Sequence, residues 1–248
     1  MPQRFNLGAF AYAHRGLWDD VGRPENSLAA FEAAAMRHVG IELDVRPSAD
    51  GVPIVFHDRD LKRLTGRSGA VADQTAATLS ATPLLPHAQS HTIPTLEAVL
   101  ALWPAGLPLL CEIKIDGETD PIDFTHTVCD LLSRAEGYVA AMSFSTAAVS
   151  AIPTSLQRGQ LIEPRVMLPD DLWQAQLNTV DSAQIDFIAC ACMDAEKVAP
   201  RAEATGLPLV VWTVQSEAQS RNCAPFAHSQ IFEGFDPDIA RAACRPKS

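Results

Sequence analysis

No apolar run in this 248-residue sequence reaches the roughly 18 residues that a membrane-spanning helix needs. No basic-then-apolar leader opens it, so a cytoplasmic location is the expectation. Basic residues are not in excess: 19 Lys and Arg stand against 30 Asp and Glu, a formal net charge of −11. A nucleic-acid binder usually shows the opposite sign or a concentrated basic stripe. The densest basic cluster, Lys62-Arg63 with Arg67, reads as a solvated loop, so no nucleic-acid partner is expected. A long basic amphipathic stretch is also missing, and with it the means for a stable membrane anchor. The six cysteines, Cys111, Cys129, Cys190, Cys192, Cys223 and Cys244, lack the paired short spacings of a zinc site and read as structural, reduced thiols. There is no internal repeat and no sign of a second domain, so residues 1–248 read as one unit.

What is present is an ordinary globular composition, 47 % hydrophobic and 20 % charged, ample for a large core. Short β-rich runs alternate with helical patterns, which favours a mainly parallel α/β sheet or barrel. Strands are expected at Phe10–His14, Gly40–Val45, Val52–His57, Pro108–Lys114, Val139–Phe144, Gly159–Ile162, Phe187–Cys192, Pro208–Val214 and Gln230–Glu233. Helices fit Leu28–His38, capped by Asn26 or Ser27 and buried along Leu28, Phe31 and Ala35, then Thr95–Leu102, Ile122–Ala135, Ser145–Ala151, Asp171–Val180, Ala195–Ala204 and Ser216–Ala224.

Nine strands are one too many for an eight-stranded barrel. The gap from Val45 to Val52 is too short for a parallel crossover, which takes about a dozen residues. Asp50-Gly51 is a hairpin signal, so Val52–His57 is expected to turn back antiparallel. A two-residue loop at Asp50-Gly51 would set Asp44 opposite His57, and one at Ala49-Asp50 would set Glu42 there. Both place His57 on the face of those carboxylates; an odd-length loop would not. Residues 59–92 are too long and irregular for an ordinary loop and read as a small insertion near the barrel mouth.

Four short patterns carry chemistry. In Glu42-Leu43-Asp44, residues two apart on a strand point the same way, so two carboxylates project together from an apolar run. Burying like charges side by side is costly unless something positive lies between them, and a hard cation with oxygen ligands answers that. Glu112-Ile113-Lys114 repeats the geometry at a strand's C-terminal end, where barrel enzymes place their sites. His14-Arg15-Gly16 ends the first strand with an acid–base group, a phosphate-gripping guanidinium and a residue that permits close backbone approach. His57-Asp58 supplies a second acid–base candidate. Together these fit metal-assisted phosphoryl transfer. His38, His87, His91, His126 and His228 lie in helices or loops and are given no role.

The ordered series resembles the glycerophosphodiester phosphodiesterase family. It runs His14-Arg15-Gly16, Pro24-Glu25-Asn26-Ser27 with Ala30-Phe31, Glu42-Leu43-Asp44-Val45, Asp50-Gly51, His57-Asp58, Glu112-Ile113-Lys114 and Val211-Trp212-Thr213-Val214. The resemblance implies a TIM (β/α)8 barrel with a small insertion after His57-Asp58, hydrolysing small-molecule glycerophosphodiesters to glycerol 3-phosphate and an alcohol. It implies His14 and His57 as general acid and base, and Glu42, Asp44 and Glu112 as ligands of one divalent cation, Mg2+ or Ca2+. Arg15 and Lys114 would contact the phosphate, and Glu25, Asn26, Phe144 and Trp212 would lie in the substrate pocket. Two positions depart from the pattern. Gln215 stands where many members carry Asn, and Ile231-Phe232-Glu233-Gly234 where many end the strand in Thr-Asp. Both bear on the leaving group.

Two other functions fit the same residues less well. A lysophospholipase D or phosphatidylinositol-type phosphodiesterase would need a lipid-facing surface, for which Thr75–His91 offers at most a modest apolar lid. A catalytically inactive binding module would be expected to lose some of these polar residues.

Overall fold

The computed structural model describes residues 2–86, 91–180 and 184–244. The apolar runs form strands whose ends lie within two residues of expectation: Tyr12–His14 (β1), Gly40–Pro47 (β2), Pro53–Val55 (β3), Leu109–Ile113 (β4), Val139–Ser143 (β5), Gln157–Ile162 (β6), Phe187–Ala191 (β7), Leu209–Val214 (β8) and Ser229–Phe232 (β9). All of them except β3 pair in parallel, and β1 joins both β9 and β2, closing an eight-stranded barrel.

The helices are Leu28–Met36 (α1), Lys62–Thr65 (α2), Ala76–Ser80 (α3), Leu96–Leu102 (α4), Pro121–Leu132 (α5), Thr146–Ala151 (α6), Asp170–Thr179 (α7), Ala195–Thr205 (α8), Glu217–Cys223 (α9) and Pro237–Ala242 (α10). Apart from α2 and α3, which with β3 stand between β2 and α4, one helix follows each barrel strand, the (β/α)8 pattern of a TIM barrel, with α10 completing the last unit. Their apolar faces pack on the outer side of the strands, where Ile41, Leu43, Val45, Cys111, Ile113 and Val211 are buried. The barrel interior is a separate layer of Tyr12, Leu110, Ala140, Met142, Leu161, Phe187, Ala189, Val210 and Ile231. Gly159 is required there: a Cβ on it would come within 2.2 Å of the Phe187 ring. Alternate residues of β1, β2 and β4 therefore point inward, and His14, Glu42, Asp44 and Glu112 are the inward positions nearest the C-terminal mouth.

Helix α1 departs from its expected face. It buries Ala30, Phe31 and Ala34, and leaves Leu28 38 % exposed. The helix meets the turn after β1 through Ala30, whose backbone and Cβ lie within 2.8 Å of where a Cβ on Gly16 would stand. Ser27 is the N-cap, its side chain accepting from the Ala30 N–H, and so Asn26 is free for the site.

The β2–β3 hairpin is antiparallel, but its register corrects the parity argument. Val45 faces Val55, Arg46 faces Ile54 and Pro47 faces Pro53. Ser48 then accepts from Gly51 N–H, and its own N–H bonds Val52 O, which leaves the three residues Ala49-Asp50-Gly51 as the loop. An odd loop brings Phe56, not His57, level with Asp44, and the Phe56 N–H donates to Asp44 O at 3.0 Å. His57 reaches the mouth because the chain leaves the ladder after Val55, and not through strand alternation.

Residues 59–92 carry α2 and α3, with Leu61, Leu64, Val71, Leu79 and Leu84 packed on Ile54, Phe56 and Ile93. The stretch expected as an apolar lid thus turns Leu79 and Leu84 inward; its residues 87–90, with His87, lie outside the described residues. Among the described residues no helix is long and apolar enough to cross a membrane. All six cysteines are free.

Candidate active site

The carboxylates of Glu42, Asp44 and Glu112 each present an oxygen within 4.8 Å of the others, and all three side chains are buried. Among the described residues this is the one group of His, Cys, Asp and Glu atoms close enough to hold a metal ion. Parallel register brings them together: Asp44 on β2 stands beside Glu112 on β4, with Glu42 two residues before Asp44. Burial, reinforced by the charges of Asp44 and Glu112, pushes the Glu42 carboxyl well up. Glu112 is raised too, by burial partly offset by Lys114. Asp44 is buried as deeply, but Lys114 and Arg15 hold it far below the carboxylate range.

Two cations already share this charge. Lys114 Nζ lies 2.6 Å from Glu112 Oε1 and 3.0 Å from Asp44 Oδ1. Arg15 Nε lies 3.3 Å from Asp44 Oδ2, and its Nη1 lies 2.7 Å from Glu25 Oε1. Backbone geometry aims Arg15, since its φ of +58° and that of +85° at Gly16 turn the chain sharply after β1. Asn26, at φ +56°, accompanies that turn: its N–H bonds Arg15 O and its Nδ2 donates to Asp44 Oδ2 at 3.0 Å. The Asn26 Oδ1 is buried with no hydrogen-bond partner.

Each histidine is held at Nδ1 by a carboxylate. His14 Nδ1 is 2.6 Å from Glu233 Oε2, and His57 Nδ1 is 2.8 Å from Asp58 Oδ1. Burial opposes the charge on both acids, yet their hydrogen bonds hold Glu233 and Asp58 down at about 2. An ionised carboxylate only accepts, so each Nδ1 carries the proton and each Nε2 is left free. His14 Nε2 points toward Glu42, 4.0 Å from its Oε2. Burial lowers the His57 pKa despite the nearby Asp44 charge, which favours the neutral ring. Arg46 Nε donates to His57 O at 2.7 Å and fixes the backbone of that residue.

A cavity of about 160 Å3 is lined by His14, Arg15, Glu42, His57, Glu112 and Lys114 on one side and by Phe144 and Trp212 on the other. The two aromatic rings meet edge-to-face at 5.6 Å. Glu25 and Asn26, expected in the pocket, stand behind it, where they hold Arg15 and Asp44. A larger cavity of about 490 Å3 lies elsewhere, against Trp103 and Leu131, and contains none of these residues.

Two further residues, Glu233 and Arg63, belong to the site. Glu233 stands directly after β9 and reaches His14 from there. Arg63, taken for part of a solvated loop, donates to both Glu25 and Asp58. Glu233 stands out in the sequence only as an unusual strand end, and nothing local ties it to His14, 219 residues away. Arg63 lies five residues from Asp58, but its second partner, Glu25, is 38 residues away.

The family model described as "Glycerophosphoryl diester phosphodiesterase family" matches residues 14–231. An uncharacterised protein of Mycobacterium tuberculosis is 31 % identical over 180 residues, covering 67 % of this chain and 58 % of that protein. Rat glycerophosphodiester phosphodiesterase 1 is 46 % identical over 66 residues, 26 % of this chain and 19 % of its own. The chain therefore spans little more than half, or less, of the length of these curated relatives. Among solved structures, an Oleispira antarctica phosphodiesterase in complex with the product sn-glycerol-3-phosphate aligns with a TM-score of 0.73 at 23 % identity, covering 94 % of this chain and 96 % of that one. A glycerophosphodiester phosphodiesterase from Thermotoga maritima aligns at TM-score 0.71 and 23 % identity, covering 90 % and 94 %. At such identities the likeness is one of fold.

Proposed function

We propose, for a chain that belongs to the glycerophosphoryl diester phosphodiesterase family, that it hydrolyses glycerophosphodiesters to glycerol 3-phosphate and an alcohol by metal-dependent acid–base catalysis. The observation that carries this reading is one small cavity walled by two histidines, two cations and part of a buried carboxylate triad. Its volume of about 160 Å3 suits a compact head group, being below the ~300–1,000 Å3 of drug-sized pockets.

The donor set fits a hard divalent cation, Mg2+ or Ca2+, because it consists of carboxylate oxygens with an unpartnered Asn26 Oδ1 nearby. Glu42, Asp44 and Glu112 would hold the ion, which when bound supplies positive charge to phosphate oxygens. The protein's own groups do the rest. Arg15 and Lys114 grip the phosphate and offset the repulsion that an acidic chain presents to an anionic substrate. One imidazole takes the proton of the attacking oxygen, from water or the glycerol 2-hydroxyl, and the other returns a proton to the departing alcohol. Asp58 and Glu233 keep both rings in the tautomer that presents Nε2. Phe144 and Trp212 pack on the glycerol and exclude water. Residues 1–248 act as one barrel unit, and the free thiols suit a cytoplasmic location.

The test is to replace His14 and His57 singly by Ala and assay glycerophosphocholine. Both variants are expected to lose at least about 100-fold in kcat. Near wild-type rates in both would end the scheme. A second reading, cleavage of lysophospholipids, draws on the exposed Val166, Met167 and Met193 in the connections after β6 and β7. Lysophosphatidylcholine assayed beside glycerophosphocholine separates the two.

A further inference from the structure

Arg63 sits on α2, in the insertion, and joins two parts of the site that no strand connects. Its Nε and Nη2 lie 2.7 and 2.9 Å from the two oxygens of Asp58. Its Nη1 and Nη2 lie 2.7 and 2.8 Å from the two oxygens of Glu25. One guanidinium thus serves both carboxylates bidentately, the geometry in which Arg pairs are strong and oriented. Ordinary surface ion pairs are worth little, but Glu25 is only 7 % exposed and Asp58 bonds a histidine. The resulting chain of contacts runs Arg15, Glu25, Arg63, Asp58, His57.

Each contact limits the next. With Arg63 in place, Asp58 cannot rotate away from His57 Nδ1 without breaking two charge-assisted bonds. Glu25 divides its charge between Arg63 and Arg15, which leaves Arg15 less tightly bound and able to share its guanidinium with a phosphate. Without Arg63, the buried Glu25 would have Arg15 as its sole cation and would compete with substrate for it. We propose that Arg63 is a positioning residue, fixing the tautomer of His57 through Asp58 and keeping Arg15 available through Glu25, so that the insertion is part of the catalytic apparatus. The proposal rests on the function proposed above.

The test compares wild type with Arg63→Gln, Arg63→Lys, Asp58→Asn and the double variant Arg63→Gln/Asp58→Asn, all checked for a folded barrel by circular dichroism. Arg63→Gln is expected to lower kcat on glycerophosphocholine at least about tenfold and to raise KM. Arg63→Lys keeps the charge but not the fork, and stays closer to Gln than to wild type. The double variant should lose less kcat than the product of the two single losses, since both changes release the Arg63–Asp58 contact and only Arg63→Gln also releases Glu25. Histidine 15N spectra give a readout independent of turnover: His57 holds one Nδ1-protonated tautomer in wild type and mixes tautomers in Arg63→Gln. Wild type active with Arg63→Gln within twofold of it, losses that multiply fully, or unchanged His57 spectra would each overturn the proposal. A wild type with no turnover would sink the functional reading instead, and the spectra would still decide this one.

Discussion

His14 Nδ1 lies 2.6 Å from Glu233 Oε2, and Gln215 Nε2 donates to the other oxygen of the same carboxylate at 2.8 Å. Gln215 and Glu233 therefore form one unit behind a catalytic candidate. Glu233→Gln should lower kcat about 10–100-fold with little change in KM. It should also change the acid stability of the protein. A carboxyl whose folded pKa is lowered, here from 4.5 to about 2, contributes stability in full above the ordinary value, and this is lost as pH falls through the folded one. Wild type should lose melting temperature between pH 4.5 and 2 more steeply than Glu233→Gln; parallel curves would contradict the dyad.

Glu42 has the opposite sign. Burial and the neighbouring Asp44 and Glu112 raise its pKa in the fold, so its ionised form costs stability once pH exceeds the ordinary value of 4.5. At neutral pH with chelator, Glu42→Gln should melt no lower than wild type. Added Mg2+ or Ca2+ should then raise its melting temperature less than it raises that of wild type. A lower melting temperature in chelator, or an undiminished metal response, would count against the triad as a cation site.

Gly16 stands where an added Cβ would come within 2.8 Å of Ala30 backbone, at a φ of +85°. Gly16→Ala should destabilise the fold by about 1–3 kcal/mol and weaken product binding by displacing Arg15. Urea unfolding and titration with glycerol 3-phosphate measure the two effects; a loss of stability alone would detach the turn from the site.

The legibility of the site followed the range of the interactions that build it. Glu42 with Asp44, and Glu112 with Lys114, were readable because strand alternation fixes residues two apart. Barrel closure followed from counting strands and noticing one gap too short to cross. His57 was placed on the right side of the molecule for the wrong reason, since one residue more in the hairpin loop reverses strand parity while the chain beyond Val55 is free to bend back. The roles of Glu233 and Arg63 were not legible, because His14 and Glu25 lie far along the chain from them and the nearby Arg63–Asp58 pair follows no strand or helix spacing. Leu28 was misread because the helix packs through alanines, which a periodicity weighted toward large side chains overlooks.

The most direct measurement is release of glycerol 3-phosphate from glycerophosphocholine by the purified protein, with Mg2+ or Ca2+ and again in excess EDTA. The account predicts release with metal, its loss in EDTA and its return when metal is restored. No release with either cation, or an equal rate in EDTA, would contradict it.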